Sequence, residues 1–175
     1  MENDIEELFL NDIWCLYFHD PFDSDWTNQS YVLLSSISSV EQYWENMNYI
    51  KGNLHKGMFF LTREGIFPIW DDEANINGGC LSIKILKDNL SEFCENLCIA
   101  LLGETLLIEE KRHLWNKVNG LSFSPKKHFC IVKIWLRDAE LANKKYFNIE
   151  NNYYGDILYK SNMENIHAET TNAVN

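Results

Sequence analysis

The sequence predicts an α+β fold, an antiparallel sheet with helices gathered on one face, and three observations carry that expectation. Short aromatic and β-branched runs recur between turn residues, as strands do. Two longer segments among them space their apolar residues by three and four, as amphipathic helices do. A length of 175 residues, 46% of them hydrophobic, supplies one core and is too short for two full-sized domains.

Met1 to Leu10 begins acidic and turns apolar, a short segment that docks as it enters the fold. Ile13 to Phe18 (I-W-C-L-Y-F) is a strand stopped by His19-Asp20-Pro21. Asp20 to Asp25 is a polar loop with Trp26 at its far side, and Tyr31 to Ile37 is the next strand. Ser38 and Ser39 each have Glu or Gln three residues on, a capping box that opens a helix running to about Ile50. Val40, Tyr43, Trp44 and Met47 form its apolar stripe. Gly57 to Leu61 reads as a buried strand, and Arg63 to Gly79 as a long connection with proline and glycine at turn positions and Trp70 inside it. Cys80 to Leu86 alternates as a strand, and Asp88 to Leu102 is a second helix closed by Gly103. Leu121 to Phe123 and Phe129 to Leu136 form a hairpin around the basic turn Ser124 to His128. Arg137 to Phe147 reads as a third helix, Gly155 to Tyr159 as a last strand, and the polar remainder as a disordered tail. This divides the chain into a short N-terminal segment (1–12), a single domain (13–161) and a polar C-terminal tail (162–175).

Composition narrows the chemistry. The five cysteines are odd in number and contain no C-x-x-C pair, which predicts free thiols in a reduced, intracellular protein. The five histidines pair with no nearby cysteine, so no metal site is expected. No stretch reaches the roughly 18 apolar residues of a membrane span, and the acidic N-terminus is unlike a secretory signal. The net charge of −11 argues against tracking a phosphate backbone, which needs a broad basic surface. It leaves room for a short nucleic-acid ligand carrying its own positive charge, such as an N7-methylated guanine. Catalysis is not expected: no glycine-rich phosphate loop, G-x-S-x-G, H-E-x-x-H or Cys–His arrangement is present, and the consecutive carboxylates Asp71, Asp72 and Glu73 cannot all face one point.

Trp26 and Trp70 are the two tryptophans that pattern reading leaves in loops, outside the apolar stripes. Between two indole faces a cationic base gains about 0.5–2 kcal/mol of cation–π energy per ring, and base stacking contributes about 1–3 kcal/mol. Stacking alone does not name the base. A carboxylate in its plane does, because guanine presents a ring N–H and an amino group side by side, and Asp71 directly follows Trp70.

Taken together, W-x-L-Y-F at Trp14 to Phe18, the loop Trp26, S-V-E-Q-Y-W at Ser39 to Trp44, G-I-F-P-I-W-D-D-E-x-N-x-x-G-G at Gly65 to Gly79, L-L-G-E at Leu101 to Glu104 and K-I-W at Lys133 to Trp135 resemble the cap-binding translation initiation factor 4E family, over Ile13 to Ser161. The resemblance implies a curved antiparallel sheet of about eight strands backed by three helices, with a slot for the 7-methylguanosine cap of mRNA on its concave face. It implies Trp26 and Trp70 as the stacking pair, Asp71 on the guanine edge where the family has glutamate, and Trp135 at the methyl group. Aspartate is one methylene shorter, so the slot must close in, or Asp72 or a water must help. Counting back from Trp135 puts cap-phosphate cations at Lys126 and His128, with a third position falling on Ile131; Lys127 and Lys133 are neighbours that can substitute.

Tyr159-Lys160-Ser161 resembles the start of a mobile loop over the cap. The family's dorsal partner surface maps to Val40 and Trp44. Leu8-Phe9-Leu10 replaces its His-Pro-Leu segment, and Glu95 replaces an apolar contact, which implies a dedicated partner protein in place of, or beside, the usual scaffold-type initiation factor. The implied protein is a cytoplasmic, monomeric, cofactor-free binder acting in translation initiation. The alternative is a regulator that sequesters caps or partners.

Overall fold

The computed structural model describes the backbone of residues 7–173 and the side chains of 7–168; the first six residues of the predicted N-terminal segment lie outside it. Seven antiparallel strands form one sheet in the order β2-β1-β3-β5-β6-β4-β7. They are β1 (Phe9–His19), β2 (Tyr31–Ser39), β3 (Met58–Arg63), β4 (Gly79–Leu86), β5 (Val118–Pro125), β6 (Phe129–Leu136) and β7 (Leu158–Ser161). The α-helices are α1 (Val40–Lys51), α2 (Lys87–Leu102) and α3 (Asn162–Ala173).

Strand alternation sorts the sheet into two faces. Trp14 and Leu16 of β1, Phe59 and Leu61 of β3, Leu81, Ile83 and Ile85 of β4, and Val132 and Ile134 of β6 join Phe93, Leu97 and Leu101 of α2 in the main core. The intervening residues face the other, concave side, where Phe60, Cys80 and Trp135 form a second, smaller cluster with Tyr17, Tyr31, Met58 and Trp70 packed against it. A two-residue period therefore assigns one aromatic set to the helices and another to the concave face.

The α1 cap is Ser39, whose hydroxyl accepts from the Gln42 amide, while the Gln42 side chain accepts from the Ser38 amide. Glu41, the other box candidate, instead accepts from the Leu8 amide.

Four expectations are corrected. The first strand begins at Phe9 rather than Ile13, because Leu8 and Phe9 pair with the end of β2: the Val40 amide donates to the Leu8 carbonyl, and Phe9 is opposite Ser39. Arg137 to Phe147 holds no α-helix but two single 3-10 turns, Ala139–Leu141 and Lys144–Tyr146. Asp138 caps one and Asn143 the other, each side chain accepting from an amide two residues on, so Asn143 restarts the chain where a helix would continue. The third helix lies instead in the segment predicted to be a disordered tail. Ser161 and Glu164 form a reciprocal capping box, Glu164 N donating to Ser161 Oγ and Ser161 N to the Glu164 carboxylate. Finally, Tyr159-Lys160-Ser161 is not a loop start but edge strand, opposite Leu81, Cys80 and Gly79.

Gly78 and Gly79 enter β4 in close contact. A Cβ on Gly78 would stand 1.8 Å from the Leu136 carbonyl oxygen, and one on Gly79 would stand 2.3 Å from that of Lys160. Only glycine lets the chain pass between β6 and β7 here.

Candidate functional site

Trp70 packs against the concave-face cluster, and Trp26 reaches it through Tyr31. The Trp26 loop is stiffened by three successive aspartates, Asp20, Asp23 and Asp25, each of whose carboxylates accepts from the amide two residues ahead. The bond from the Thr27 amide holds the Asp25 carboxyl below the usual carboxylate range. At its end the Trp26 indole stacks on the buried imidazole of His19, ring centres 4.1 Å apart and planes 3° from parallel. His19 is fixed in turn, its Nε2–H donating to the Asp25 carbonyl at 2.8 Å. Trp26 remains 46% exposed and meets Tyr31 edge-on at 6.4 Å. Tyr31 packs on the second cluster, as Trp70 does, so it links the two indoles through shared aromatic packing.

Trp70 stands on the loop between β3 and β4, and that loop is held by buried amides. Asn75 donates to the carbonyls of Phe67 and Ile69 on either side of Pro68, and accepts from the Asn119 side chain. Its own carbonyl accepts from the side chain of Asn162, the first residue of α3. Asn75, Asn119 and Asn162 are fully buried. Asp72 closes the turn by accepting from the amides of Phe67 and Ala74. Each Asp72 oxygen thus takes one bond from its own loop. Asp71 is exposed and, among the described residues, makes no side-chain hydrogen bond or ion pair, leaving its oxygens unengaged beside Trp70.

Trp135 is 3% exposed and donates from Nε1 to Ser122 Oγ at 2.9 Å, so it forms the floor of the cluster and offers at most an edge.

The candidate cations are dispersed. Lys133 extends its ammonium to 5.8 Å from the Trp70 ring centre. Lys126, Lys127 and His128 are exposed at the β5–β6 turn, which strand geometry puts roughly 20 Å along β6 from Trp135. Ile131 has Lys84 as its partner across β4 and β6. Periodicity did not single out Lys84, because a lysine alternating with isoleucines reads as ordinary solvent-facing strand.

The dorsal candidates are brought together. Val40 and Trp44 lie one turn apart on α1, Trp44 is 41% exposed, and the Leu8 backbone is bonded to Val40 at the helix start. Leu8 and Phe9 are exposed there. Glu95 on α2 forms an ion pair with Lys51 at the end of α1. Among the described residues no three His, Cys, Asp or Glu converge as a metal would require, and no helix is long and apolar enough to cross a membrane.

A family model described as eukaryotic initiation factor 4E matches residues 9–172. The eukaryotic translation initiation factor 4E of Candida albicans is 30% identical over 146 residues, 78% of this chain and 68% of that protein. The human protein of the same description is 31% identical over 103 residues, 55% of this chain and 48% of its own length. The chain thus spans from about half to about two thirds of such relatives. Among solved structures, a complex of C. elegans eIF4E-3 with the 4E-binding protein Mextli has a TM-score of 0.73 at 20% identity, covering 91% of this chain and 96% of that one. A complex of Ascaris suum eIF4E-3 with m7G cap has a TM-score of 0.66 at 22% identity, covering 78% and 77%. At these identities the likeness is one of fold.

Proposed function

Since the chain belongs to the eukaryotic initiation factor 4E family, we propose that it binds the 7-methylguanosine cap of mRNA between Trp26 and Trp70 and serves translation initiation in the cytoplasm. The observation that carries this reading is the pair of loop indoles joined to one aromatic cluster, Trp70 directly and Trp26 through Tyr31, with the unengaged Asp71 beside Trp70. In the proposed complex the methylated base stacks between the rings, and its positive charge suits both their faces and an acidic protein. Asp71 accepts from the ring N–H and amino group, while the Trp135 edge meets the methyl group. Lys133 takes the nearest phosphate, with Lys126, Lys127 and His128 serving those further along the chain. Binding occurs without turnover or cofactor, by a monomer.

Val40, Trp44, Leu8 and Phe9 are the proposed seat of a partner's amphipathic helix, a scaffold-type initiation factor or a dedicated protein. The Glu95–Lys51 ion pair replaces an apolar contact at that surface, which favours a dedicated partner and keeps a second reading open, a regulator that sequesters caps or partners. Capped-analogue titration by tryptophan quenching tests the primary reading: 7-methylguanosine diphosphate is expected to bind and guanosine diphosphate to bind at least tenfold more weakly. Equal affinity for the two would overturn it. Addition to a translation extract depleted of its cap-binding factor separates an initiator, which rescues, from a sequestering protein, which inhibits.

A further inference from the structure

On the concave face, one step beyond Lys133 and away from Trp70, Lys84 extends from β4 between two aromatic rings. Its ammonium lies 4.2 Å from the ring centre of Phe129 and 4.9 Å from that of Tyr154. Among the described residues Lys84 has no ion-pair or side-chain hydrogen-bond partner, so its three N–H donors are uncommitted there. Lys117 and Lys144, by contrast, are engaged by carboxylates, the one by Asp138 and Glu140 and the other by Asp156. Tyr154 is held by its backbone, its amide donating to the Lys84 carbonyl at 2.8 Å, yet its side chain is 60% exposed.

Register places this cluster in line with the proposed base slot. Lys133 is opposite Ser82 and Ile131 opposite Lys84, so the two lysines occupy one face at adjacent rungs, about 7 Å apart along the strands. An anionic bridge leaving the Trp70 side passes Lys133, then Lys84, and arrives at the exposed ring of Tyr154.

Resting on the cap-binding reading, we propose that Lys84, Phe129 and Tyr154 form a second nucleoside subsite: Tyr154 stacks the base of the nucleotide that follows the methylated guanine, and Lys84 hydrogen-bonds the phosphate bridge between them. Contact with two rings holds the ammonium in place without using its donors, and a phosphate oxygen makes the stronger, charge-assisted bond. Phe129 supplies the second ring against which the Lys84 ammonium rests. The subsite selects for a nucleotide with a base and against none in particular, since every base has a face to stack.

The test titrates the full chain with 7-methylguanosine diphosphate and with 7-methylguanosine triphosphoadenosine at fixed ionic strength and reads the ratio of the two affinities. The wild type is expected to bind the dinucleotide roughly fivefold or more tightly, the gain expected of one stacked base. Tyr154→Ala and Lys84→Met should each bring the ratio close to one, and Lys84→Met should also reduce the salt slope for the dinucleotide by about one charge. A retained response to the diphosphate shows that a variant is folded. A wild-type ratio of one, or a ratio unmoved by both substitutions, overturns the subsite and leaves cap binding standing. Failure of the wild type to bind either compound overturns both.

Discussion

The imidazole of His19 is stacked in parallel on the Trp26 indole, and the same imidazole is bonded to the loop that delivers that indole. One face of Trp26 is therefore covered by protein, and the ring's tilt is set before any ligand arrives. An aromatic stack of this kind is worth about 0.5–1.5 kcal/mol, most of which here goes into holding the ring. His19→Ala is expected to weaken binding of 7-methylguanosine diphosphate by roughly threefold to tenfold. His19→Phe, which keeps a flat ring in the same place, should restore most of the loss. Equal weakening by both variants in a quenching titration would show that the hydrogen bond to Asp25 matters and the stack does not.

Asp71 is expected to discriminate guanine from other bases. Asp71→Asn replaces one acceptor with a donor and removes the charge, so each of two bonds worth about 1.5–3 kcal/mol is weakened or lost. Affinity for the methylated analogue should fall by at least tenfold, with the thermal midpoint unchanged because Asp71 supports no other group. Asp71→Glu extends the carboxylate by one methylene and should bind at least as tightly as the wild type. A looser Asp71→Glu complex, measured by the same titration, would mean that the slot has already closed in around the shorter side chain.

The loop that carries Trp70 depends on Asn75, whose side chain and carbonyl together join four other residues. Asn75→Ala removes the donor to the buried loop carbonyls of Phe67 and Ile69 and one acceptor of the buried Asn119 amide, a loss of about 2–4 kcal/mol, while the Asn162 bond to the residue-75 carbonyl is kept. Urea unfolding should show a lower midpoint at unchanged slope, and cap-analogue affinity should fall as the Trp70 loop loses its orientation. Stability loss with undiminished affinity would separate the network from the site.

How much of this was legible follows from the range of each signal. Trp26 and Trp70 were visible because each is a large aromatic outside any apolar period, a local property. The Asn75 network was not, because two of its partners, Asn119 and Asn162, are 44 and 87 residues away and asparagine reads as loop wherever it occurs. Lys84 was hidden by strand alternation, which assigns a face but not whether that face meets solvent or ligand. The capping box at Ser161 and Glu164 was present in the sequence, yet the polar composition around it outweighed it, and the helix was placed at Arg137 to Phe147 instead. What composition could not reveal is that Asn162 is anchored beneath the Trp70 loop, its amide donating to the Gly78 carbonyl at 3.0 Å.

Burial of the thiols makes a separate prediction about alkaline pH. Burial pushes Cys80, Cys98 and Cys130 up to about 12, and Cys94 well above the ordinary thiol range, because a thiolate would lie in apolar surroundings. In the unfolded chain these groups ionise near their usual value of about 8.5. Above that pH the unfolded state binds fewer protons than the folded one, so stability is full at neutral pH and is lost as pH rises toward 12. Each thiol contributes up to about 1.4 kcal/mol of loss per pH unit in that window. The urea midpoint is expected to hold between pH 7 and 8 and to fall steadily from pH 9 to 10.5, with a shallower fall in Cys98→Ala. The same burial should keep these four cysteines unalkylated by iodoacetamide at neutral pH until the protein is unfolded. A midpoint that stays level to pH 10.5, or rapid native labelling at Cys80, which forms part of the concave-face cluster, would mean that the cluster opens to water.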